Sequence, residues 1–185
     1  PKSPFAEYSA NLLLDIFNLK KDYIGLEKTG QEILALPAMA NSKAGQEIRG
    51  VIERASFKRA QDLEGQKKYL DSAQNFESFA QQNPKSELVA AAHYNAGVNY
   101  ERSGNSAGAL KNYQALLGMK SKESEPLKPK VKKFMAKMAQ DLGRYEEAAR
   151  LYRNLYHENP KDPLAPNFLF NSAILLQALG ENGSA

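Results

Sequence analysis

The chain of 185 residues has no cysteine, no tryptophan and only two histidines. The absence of cysteine excludes disulfides, thiolate metal sites and cysteine nucleophiles. His93 and His157 show neither a His-x3-His nor an HExxH spacing, so ordinary positions on a helix are favoured over metal binding or catalysis. The chain also lacks GxSxG and a glycine-rich phosphate loop that follows a strand. We therefore expect no catalytic, metal-binding or cofactor-binding residue, and we predict a protein that is not an enzyme.

Long apolar runs are missing as well. No uninterrupted stretch reaches the roughly 18–20 residues that a membrane-spanning helix needs, so direct insertion into a membrane is not expected. Apolar residues make up 42% of the chain and charged residues 25%, which indicates a globular protein rather than a disordered one. The net charge of +4 is a mild basic excess, and by itself it does not predict nucleic-acid binding.

Strand signals are weak, because Val, Ile and Thr do not cluster and apolar residues recur at spacings of three and four. Turn signals such as Pro37, Gly143 and Asn159-Pro160 divide the chain. The sequence predicts an all-α fold with nine helices whose short connections favour antiparallel neighbours. The predicted helices are residues 4–19, 22–35, 43–63, 66–82, 86–103, 106–118, 127–141, 145–158 and 162–180.

Three similar segments indicate an internal repeat. Each begins with a Pro-Lys-Ser or Pro-Lys-Asp step and carries an asparagine ten or eleven residues after the proline. Self-similarity on this scale is typical of repeat architectures, which usually act as binding surfaces. The prolines are Pro1, Pro84 and Pro160, and the asparagines are Asn11, Asn95 and Asn171.

The predicted helix pairs align position by position. A small residue in the first helix of a pair lets the second helix approach closely, and a glycine ends the first helix in a conformation that suits glycine. A small residue in the second helix lies where the two helices cross, and a tyrosine one turn later fills the core. The aligned residues are Gly97, Ala136 and Ala173; Gly104, Gly143 and Gly180; Ala109 and Ala148; and Tyr113 and Tyr152, with Tyr100 also assigned to the core.

This pattern resembles the tetratricopeptide repeat, with its W-x2-L-G-x2-Y, A-x3-F and P positions. The resemblance covers most of residues 66–180, whereas residues 1–65 are predicted to hold degenerate repeats without the aromatic positions. It implies that residues 1–185 form one α-α solenoid, a right-handed superhelix of four to five repeats. The chain departs from the pattern because it has no tryptophan, and because the steps from Ser72 to Ala109 and from Ala109 to Ala148 are 37 and 39 residues.

One segment is similar to particular members of that family. It reads NFESFAQQNPKSELVAAAHYNAGVNYERSGNSAGALKNY, and it resembles the periplasmic coordinator of the Tol–Pal system and the lipoprotein of the outer-membrane β-barrel assembly machinery. Both are non-enzymatic scaffolds, so the resemblance implies a bacterial protein of the periplasm or cell envelope, with the cytoplasm as the alternative. Because the chain opens inside a repeat at Pro1 and stops at GENGSA, we expect it to be a fragment of a longer array.

The asparagines of the three segments occupy one aligned position in the first helices, which line the groove of such arrays. An amide both donates and accepts, so Asn11, Asn95 and Asn171 could hold the backbone of an extended peptide. The alternative is that each asparagine bonds a neighbouring helix or faces solvent. Lys58 and Phe134 stand at the aligned position of the other two repeats, so any ladder of asparagines is interrupted.

Seven lysines and two glutamates lie between residues 120 and 137. Lys130, Lys133 and Lys137 share one face of a helix, which the repeat alignment assigns to the groove. The patch is either a solvated surface or an electropositive site for an acidic peptide or a carboxylate terminus. Nucleic acid is not expected, because arginines are few and no aromatic residues alternate with the lysines. The opposite face, which is expected to point into the core, carries Val131, Met135 and Met138.

Three aromatic residues, Phe57, Tyr94 and Phe170, fall at groove positions where they could anchor side chains of a ligand. Helical spacing makes core packing the favoured interpretation for any single one of them. The sequence as a whole predicts a scaffold that binds a protein or peptide partner, and it leaves the oligomeric state open. The alternative is a helical substrate-recruiting domain of an enzyme whose catalytic part lies outside this chain.

Overall fold

A computed structural model describes residues 4–180 of the chain, with side chains from residue 7 onward. Every regular element in this range is an α-helix, which confirms the predicted fold class of an α-α solenoid. There are ten helices in it rather than nine, because a single turn forms in the predicted connection between the second and third long helices. The helices are α1 (Pro4–Leu19), α2 (Tyr23–Leu34), α3 (Pro37–Ala40), α4 (Lys43–Gly65), α5 (Tyr69–Gln82), α6 (Val89–Arg102), α7 (Ser106–Gly118), α8 (Lys128–Asp141), α9 (Tyr145–Glu158) and α10 (Ala165–Ala178).

The helix ends follow local chemistry. Asp22, Ser42 and Asn105 cap α2, α4 and α7, since each side chain accepts a hydrogen bond from a backbone N–H in the first turn. The glycines that were expected to follow the first helices do so with positive φ angles of 80°, 73° and 80°. These are Gly104, Gly143 and Gly180.

Three helices begin three residues later than predicted: α5, α6 and α10. The Pro-Lys-Ser and Pro-Lys-Asp steps continue into a turn, because Ser86 and Asp162 accept hydrogen bonds from the N–H groups two residues on. Before α5, the chain turns at Lys67, which has a φ of 60°. At Pro84 and Pro160 the repeated step is therefore a connection between helices and not part of the first turn, and the step at Pro1 lies outside the described residues.

The helices from α4 onward form two sets. Consecutive helices pack against each other. Side-chain contacts also join α4 to α6, α6 to α8 and α8 to α10, which we call the first helices. The Glu53 carboxylate of α4 accepts a hydrogen bond from Ser86, just before α6, and Arg102 at the end of α6 pairs with Glu64 at the end of α4 at 2.6 Å. The two helices thus run parallel and in register, which positions their exposed sides as one surface.

The core lies between the first helices and the second helices, α5, α7 and α9. Tyr100, Tyr113 and Tyr152 are buried in it, as predicted. Val131 and Met138 of α8 are also buried, and Met135 packs against the same cluster. The hydroxyls of Tyr113 and Tyr152 donate to side chains on the preceding first helix, at 3.2 Å to Glu101 and 3.0 Å to Gln140.

Candidate functional site

Each first helix has one side that faces away from the core in the described part of the chain. In α6, for example, the buried residues surround Ala96 and Tyr100, and the opposite side carries half-buried side chains. We call the combined surface of these sides the groove face. Its side chains are Arg54, Lys58 and Gln61 of α4; Ala91, Tyr94, Asn95 and Val98 of α6; Lys130, Lys133, Phe134 and Lys137 of α8; and Asn167, Phe170, Asn171 and Ile174 of α10.

The three predicted groove lysines of α8 are not equivalent. Lys130 and Lys137 are exposed, and neither has an ion pair within the described residues. Lys133 is half-buried, because its ammonium pairs with Asp162 at 2.8 Å and lies 5.1 Å from the centre of the Phe168 ring. The hydrogen bond from Lys133 holds the pKa of the Asp162 carboxyl below its ordinary value, with help from the Leu164 N–H. Lys133 therefore connects α8 to α10. Of the three lysines, only Lys130 and Lys137 have side-chain charges without an ion pair within the described residues.

Other lysines of the cluster are paired as well. Lys128 pairs with Glu125 at 2.7 Å, and Lys132 reaches Glu158 at the end of α9. Such exposed pairs contribute little to stability, but they neutralise part of the patch. The electropositive part of α8 is consequently narrower than the sequence suggests.

The aligned asparagines lie in three different surroundings. Asn11 lines a cleft of about 630 Å³ between α1 and α4. Asn95 is half-buried on the groove face, and its side chain has no hydrogen bond within the described residues. The Asn171 amide lies close enough to the Tyr152 hydroxyl of α9 to act on its pKa, against the larger effect of burial. At the aligned position of α8, Phe134 stacks on Tyr113, with ring centres 5.9 Å apart. The aligned position thus lies at the edge of the groove face, where one repeat meets the next. A ladder of asparagines that binds a peptide stays a prediction.

The candidate aromatic anchors also differ. Phe57 is buried at 8% exposure against Phe76 and Phe79, with ring centres 5.1 and 5.3 Å away, so it belongs to the core and not to the groove surface. Tyr94 is half-buried with its ring 6.3 Å from Phe134, and burial raises the pKa of its hydroxyl. Phe170 is 64% exposed. Tyr94 and Phe170 are the two of the three that a partner could contact.

Two cations of the groove face were not identified as site residues from sequence. Arg54 and Lys58 of α4 are exposed and have no ion pair within the described residues. In the sequence, Lys58 stands out only as an interruption of the aligned asparagines. The repeat alignment contains the signal that could have found them, since Arg54 is aligned with Ala91 and Lys130.

A polar network lies behind the groove face, between α5, α6 and α7. The Glu77 carboxylate accepts a hydrogen bond from the Tyr100 hydroxyl at 2.6 Å and pairs with Lys111 at 2.6 Å. Burial opposes the ionisation of Glu77, but these bonds outweigh it, and the pKa of Glu77 lies below its ordinary value. Asn112 joins the network, and its Oδ1 lies 2.9 Å from His93 Nδ1. His93 therefore has a structural partner on α7.

The described residues contain neither a metal-binding cluster nor a membrane-spanning helix. Within residues 4–180, no three His, Asp or Glu side chains come together as a metal site would require. Over the same range, the helices are too short or too polar for any of them to cross a bilayer.

Comparison with protein families gives a match to the tetratricopeptide repeat, over residues 57–124 and 135–185. The chain belongs to the tetratricopeptide repeat family. Repeats of this family mediate protein–protein interactions and are typically non-catalytic. The gap in the match falls on the connection before α8 and on its first half, where four of the seven clustered lysines lie. A comparison with curated proteins found no match.

Proposed function

We propose that this tetratricopeptide repeat chain is a non-enzymatic scaffold that binds an acidic segment of a protein partner on its groove face. The observation that carries the proposal is the contrast within the lysine cluster. Three lysines are held by carboxylates of the same chain, whereas Lys130 and Lys137 lie on the exposed side of α8 and form no ion pair within the described residues. Unpaired cations on a surface attract and orient an anionic partner.

The shape of the surface supports the same conclusion. Side-chain contacts join each first helix from α4 to α10 to the next, so the exposed sides of these four helices are neighbours. Arg54 and Lys58 add exposed positive charge on α4, and the half-buried Tyr94 of α6 offers an aromatic contact. A surface with both charge and apolar area suits a protein segment better than a small anion.

We further propose that the partner belongs to a bacterial cell-envelope or motility assembly. This proposal rests only on the resemblance that the sequence of residues 75–113 suggests to tetratricopeptide repeat scaffolds of the periplasm and outer membrane. Fractionation of the native protein tests the location, and recovery in the cytoplasm alone would contradict it.

The binding proposal can be tested with a fluorescent peptide of alternating glutamate and alanine, followed by fluorescence anisotropy. We expect binding at low ionic strength that weakens steeply as salt is added. A matched peptide with glutamine in place of glutamate should not bind. The variant Lys130→Glu/Lys137→Glu should lose most of the affinity for the glutamate peptide.

The control for this experiment has the same change in net charge elsewhere. Lys68→Glu/Arg150→Glu alters two exposed residues, one in the turn before α5 and one on the outer side of α9. This variant should bind as the unaltered chain does. If both double variants bind the peptide equally well, the groove face is not the binding surface and the proposal fails.

A further inference from the structure

The joint between α7 and α8 differs from the comparable joints of the described chain, at which a second helix is followed directly by a first helix. These comparable joints are α5–α6 and α9–α10. Both of these helix pairs pack extensively, whereas α7 and α8 pack against each other far less extensively. The connection at this joint is also longer, since it spans residues 119–127, compared with 83–88 and 159–164 at the other two.

Hydrogen bonds cross the two comparable joints. At the α5–α6 joint, the Tyr100 hydroxyl donates to the Glu77 carboxylate at 2.6 Å. At the α9–α10 joint, the Ser172 hydroxyl donates to the Ala149 carbonyl at 2.9 Å. The polar side chains of α8 bond instead to α9, to the turn before α10 or to the preceding connection, and within the described residues none of them bonds to α6 or α7. The α7–α8 joint is therefore without a polar bond between its helices.

On one side of the joint, α8 is held to the helices that follow it. Lys132 pairs with Glu158 at the end of α9, and Lys133 pairs with Asp162 just before α10 at 2.8 Å. Together with the Ser172 bond between α9 and α10, these pairs join three helices. We call α8, α9 and α10 the C-terminal body.

On the other side, α4 to α7 are held to one another, and we call them the central body. The buried Ser72 hydroxyl of α5 donates to the Ala60 carbonyl of α4 at 2.8 Å. The Tyr113 hydroxyl of α7 donates to Glu101 of α6 at 3.2 Å. Since the bond between Tyr100 and Glu77 joins α5 to α6, polar bonds connect every consecutive pair within this body.

The side-chain contacts between the two bodies at this joint are apolar. The Phe134 ring of α8 has its centre 5.9 Å from that of Tyr113 and 6.3 Å from that of Tyr94. The planes of Phe134 and Tyr113 lie within 8° of parallel, so these rings can slide over each other and stay in contact. Val131 and Met138 are buried in the same cluster. Apolar contact is non-directional, so it permits small relative movements that a hydrogen bond would resist.

The connection between the two bodies bonds mainly to itself. The buried Ser124 hydroxyl donates to the Ser121 carbonyl at 2.7 Å, and the Leu127 N–H donates to the Ser124 carbonyl at 3.0 Å. Before this connection α7 ends at Gly118, where an added Cβ would meet no atom within 4 Å. The backbone at Gly118 therefore has room to change its dihedral angles, as a hinge residue does.

We propose that the joint between α7 and α8 is a hinge, about which the C-terminal body moves against the central body. The movement is of the sliding kind that packed helices allow, with the Phe134 ring as the main contact. It changes the spacing between α6 and α8 on the groove face, because these two first helices belong to different bodies. The hinge operates in the free chain, so it does not depend on the proposed function.

Spin labels can measure this movement, because the chain has no cysteine of its own to be labelled. Three exposed residues hold one aligned position in consecutive second helices: Ser78 of α5, Ala115 of α7 and Asn154 of α9. Ala115→Cys/Asn154→Cys spans the joint, and Ser78→Cys/Ala115→Cys is the matched pair within the central body. Pulsed electron paramagnetic resonance of frozen samples gives the distribution of distances for each pair. We expect it to be at least about twofold broader across the joint, since freezing traps hinge positions that exchange in microseconds to milliseconds.

A second substitution tests the role of Phe134. Phe134→Leu keeps an apolar side chain at the joint but removes the stacked rings, so it should broaden the distribution across the joint and leave the matched pair unchanged. Phe76→Leu is its control, because Phe76 is buried in the same cluster but lies on α5, within the central body. It should not broaden the distribution across the joint. Circular dichroism of each variant shows whether the helices are retained.

Three results would count against the hinge. Equally narrow distributions for the two label pairs would show that the joint is rigid and would overturn the proposal. Equally broad ones would show movement throughout the array rather than at this joint, which overturns it as well. If Phe134→Leu and Phe76→Leu broaden the distribution across the joint to the same extent, the movement does not take place at the Phe134 contact.

Discussion

The Tyr113 ring lies so close to Gly97 that a Cβ atom on Gly97 would stand 2.2 Å from the Tyr113 Cε1 atom. The tyrosine is fully buried, and its other side stacks on Phe134 of the next first helix. One ring thus fills the space between α6 and α8, and its position depends on the absence of a side chain at Gly97. Ala136 and Tyr152 hold the aligned positions in the next repeat. There the Tyr152 hydroxyl donates a hydrogen bond to Gln140, which connects α9 to α8.

Gly97→Ala should therefore destabilise the chain, although alanine favours a helix. The new methyl group would force the Tyr113 ring out of a closed space, and such overpacking costs about 1–3 kcal/mol. Urea unfolding followed by circular dichroism measures the effect as a lower midpoint.

Gly118→Ala is the matched control. Gly118 also lies in a helix, but a Cβ added there has no atom within 4 Å. The change should leave the midpoint unaltered or raise it, through helix propensity of up to about 1 kcal/mol. A chain that tolerates Gly97→Ala as well as Gly118→Ala would contradict the packing described here.

The tyrosine register shows what could be predicted from the sequence. Spacing alone identified Tyr113 and Tyr152 as core residues and placed glycines such as Gly143 after first helices, because these features repeat along the chain. The same periodicity predicted which segments are helical and where most of the helices begin and end. The short α3 was missed because four residues are too few to show a period.

The candidate site was harder to predict, since its properties depend on partners that are distant in sequence. Nothing in the helical spacing distinguishes Lys133 from Lys130, but Asp162 lies within reach of only the former. Asn95 and Asn171 are likewise equivalent by alignment, and only the neighbouring Tyr152 makes them different. Pairs of this kind are not periodic, so a repeat alignment cannot reveal them.

High pH should destabilise the chain through its buried tyrosines. Burial, the hydrogen bond to Glu77 and the Glu77 charge raise the pKa of Tyr100 from 10.0 to about 12. In the unfolded chain this hydroxyl ionises near pH 10, whereas in the folded chain it keeps its proton, so its contribution is present below pH 10 and is lost as the pH rises toward about 12. The free energy of unfolding, measured in urea at several pH values, should fall over this window.

Tyr100→Phe isolates that contribution. The variant should be less stable at neutral pH by about 0.5–1.5 kcal/mol, because the bond to Glu77 is lost. Its decline above pH 10 should be shallower than that of the unaltered chain, and Glu77→Gln should also reduce the slope. Parallel pH curves for the variant and the unaltered chain would show that Tyr100 does not titrate as expected.

Lys133 should act in the attachment of α10 rather than in ligand binding. Lys133→Ala removes both the pair with Asp162 and the contact with the Phe168 ring. We expect faster hydrogen exchange of the amides of α10, and a similar increase in Asp162→Asn. The double variant should exchange little faster than either single one, because both changes break the same pair.

Lys130→Ala is the comparison for Lys133. It lies one turn away on the same helix without an ion pair in the described residues, so α10 should exchange at its normal rate. It should instead weaken the binding of an acidic peptide. If Lys130→Ala and Lys133→Ala loosen α10 equally, the lysine–aspartate pair is not what holds this helix.

Asn95 and Asn171 should separate in the same way, although they are aligned in the repeat. Asn95→Ala leaves no partner unsatisfied within the described residues, so we expect unchanged thermal unfolding and weaker binding of a groove-face peptide. Asn171→Ala removes the amide beside the Tyr152 hydroxyl and should lower the unfolding midpoint by the equivalent of about 1 kcal/mol. Anisotropy and thermal unfolding measured on both variants test the contrast. An unchanged affinity in Asn95→Ala would remove asparagine from the binding surface, because this is the residue of the pair whose amide is free to meet a ligand.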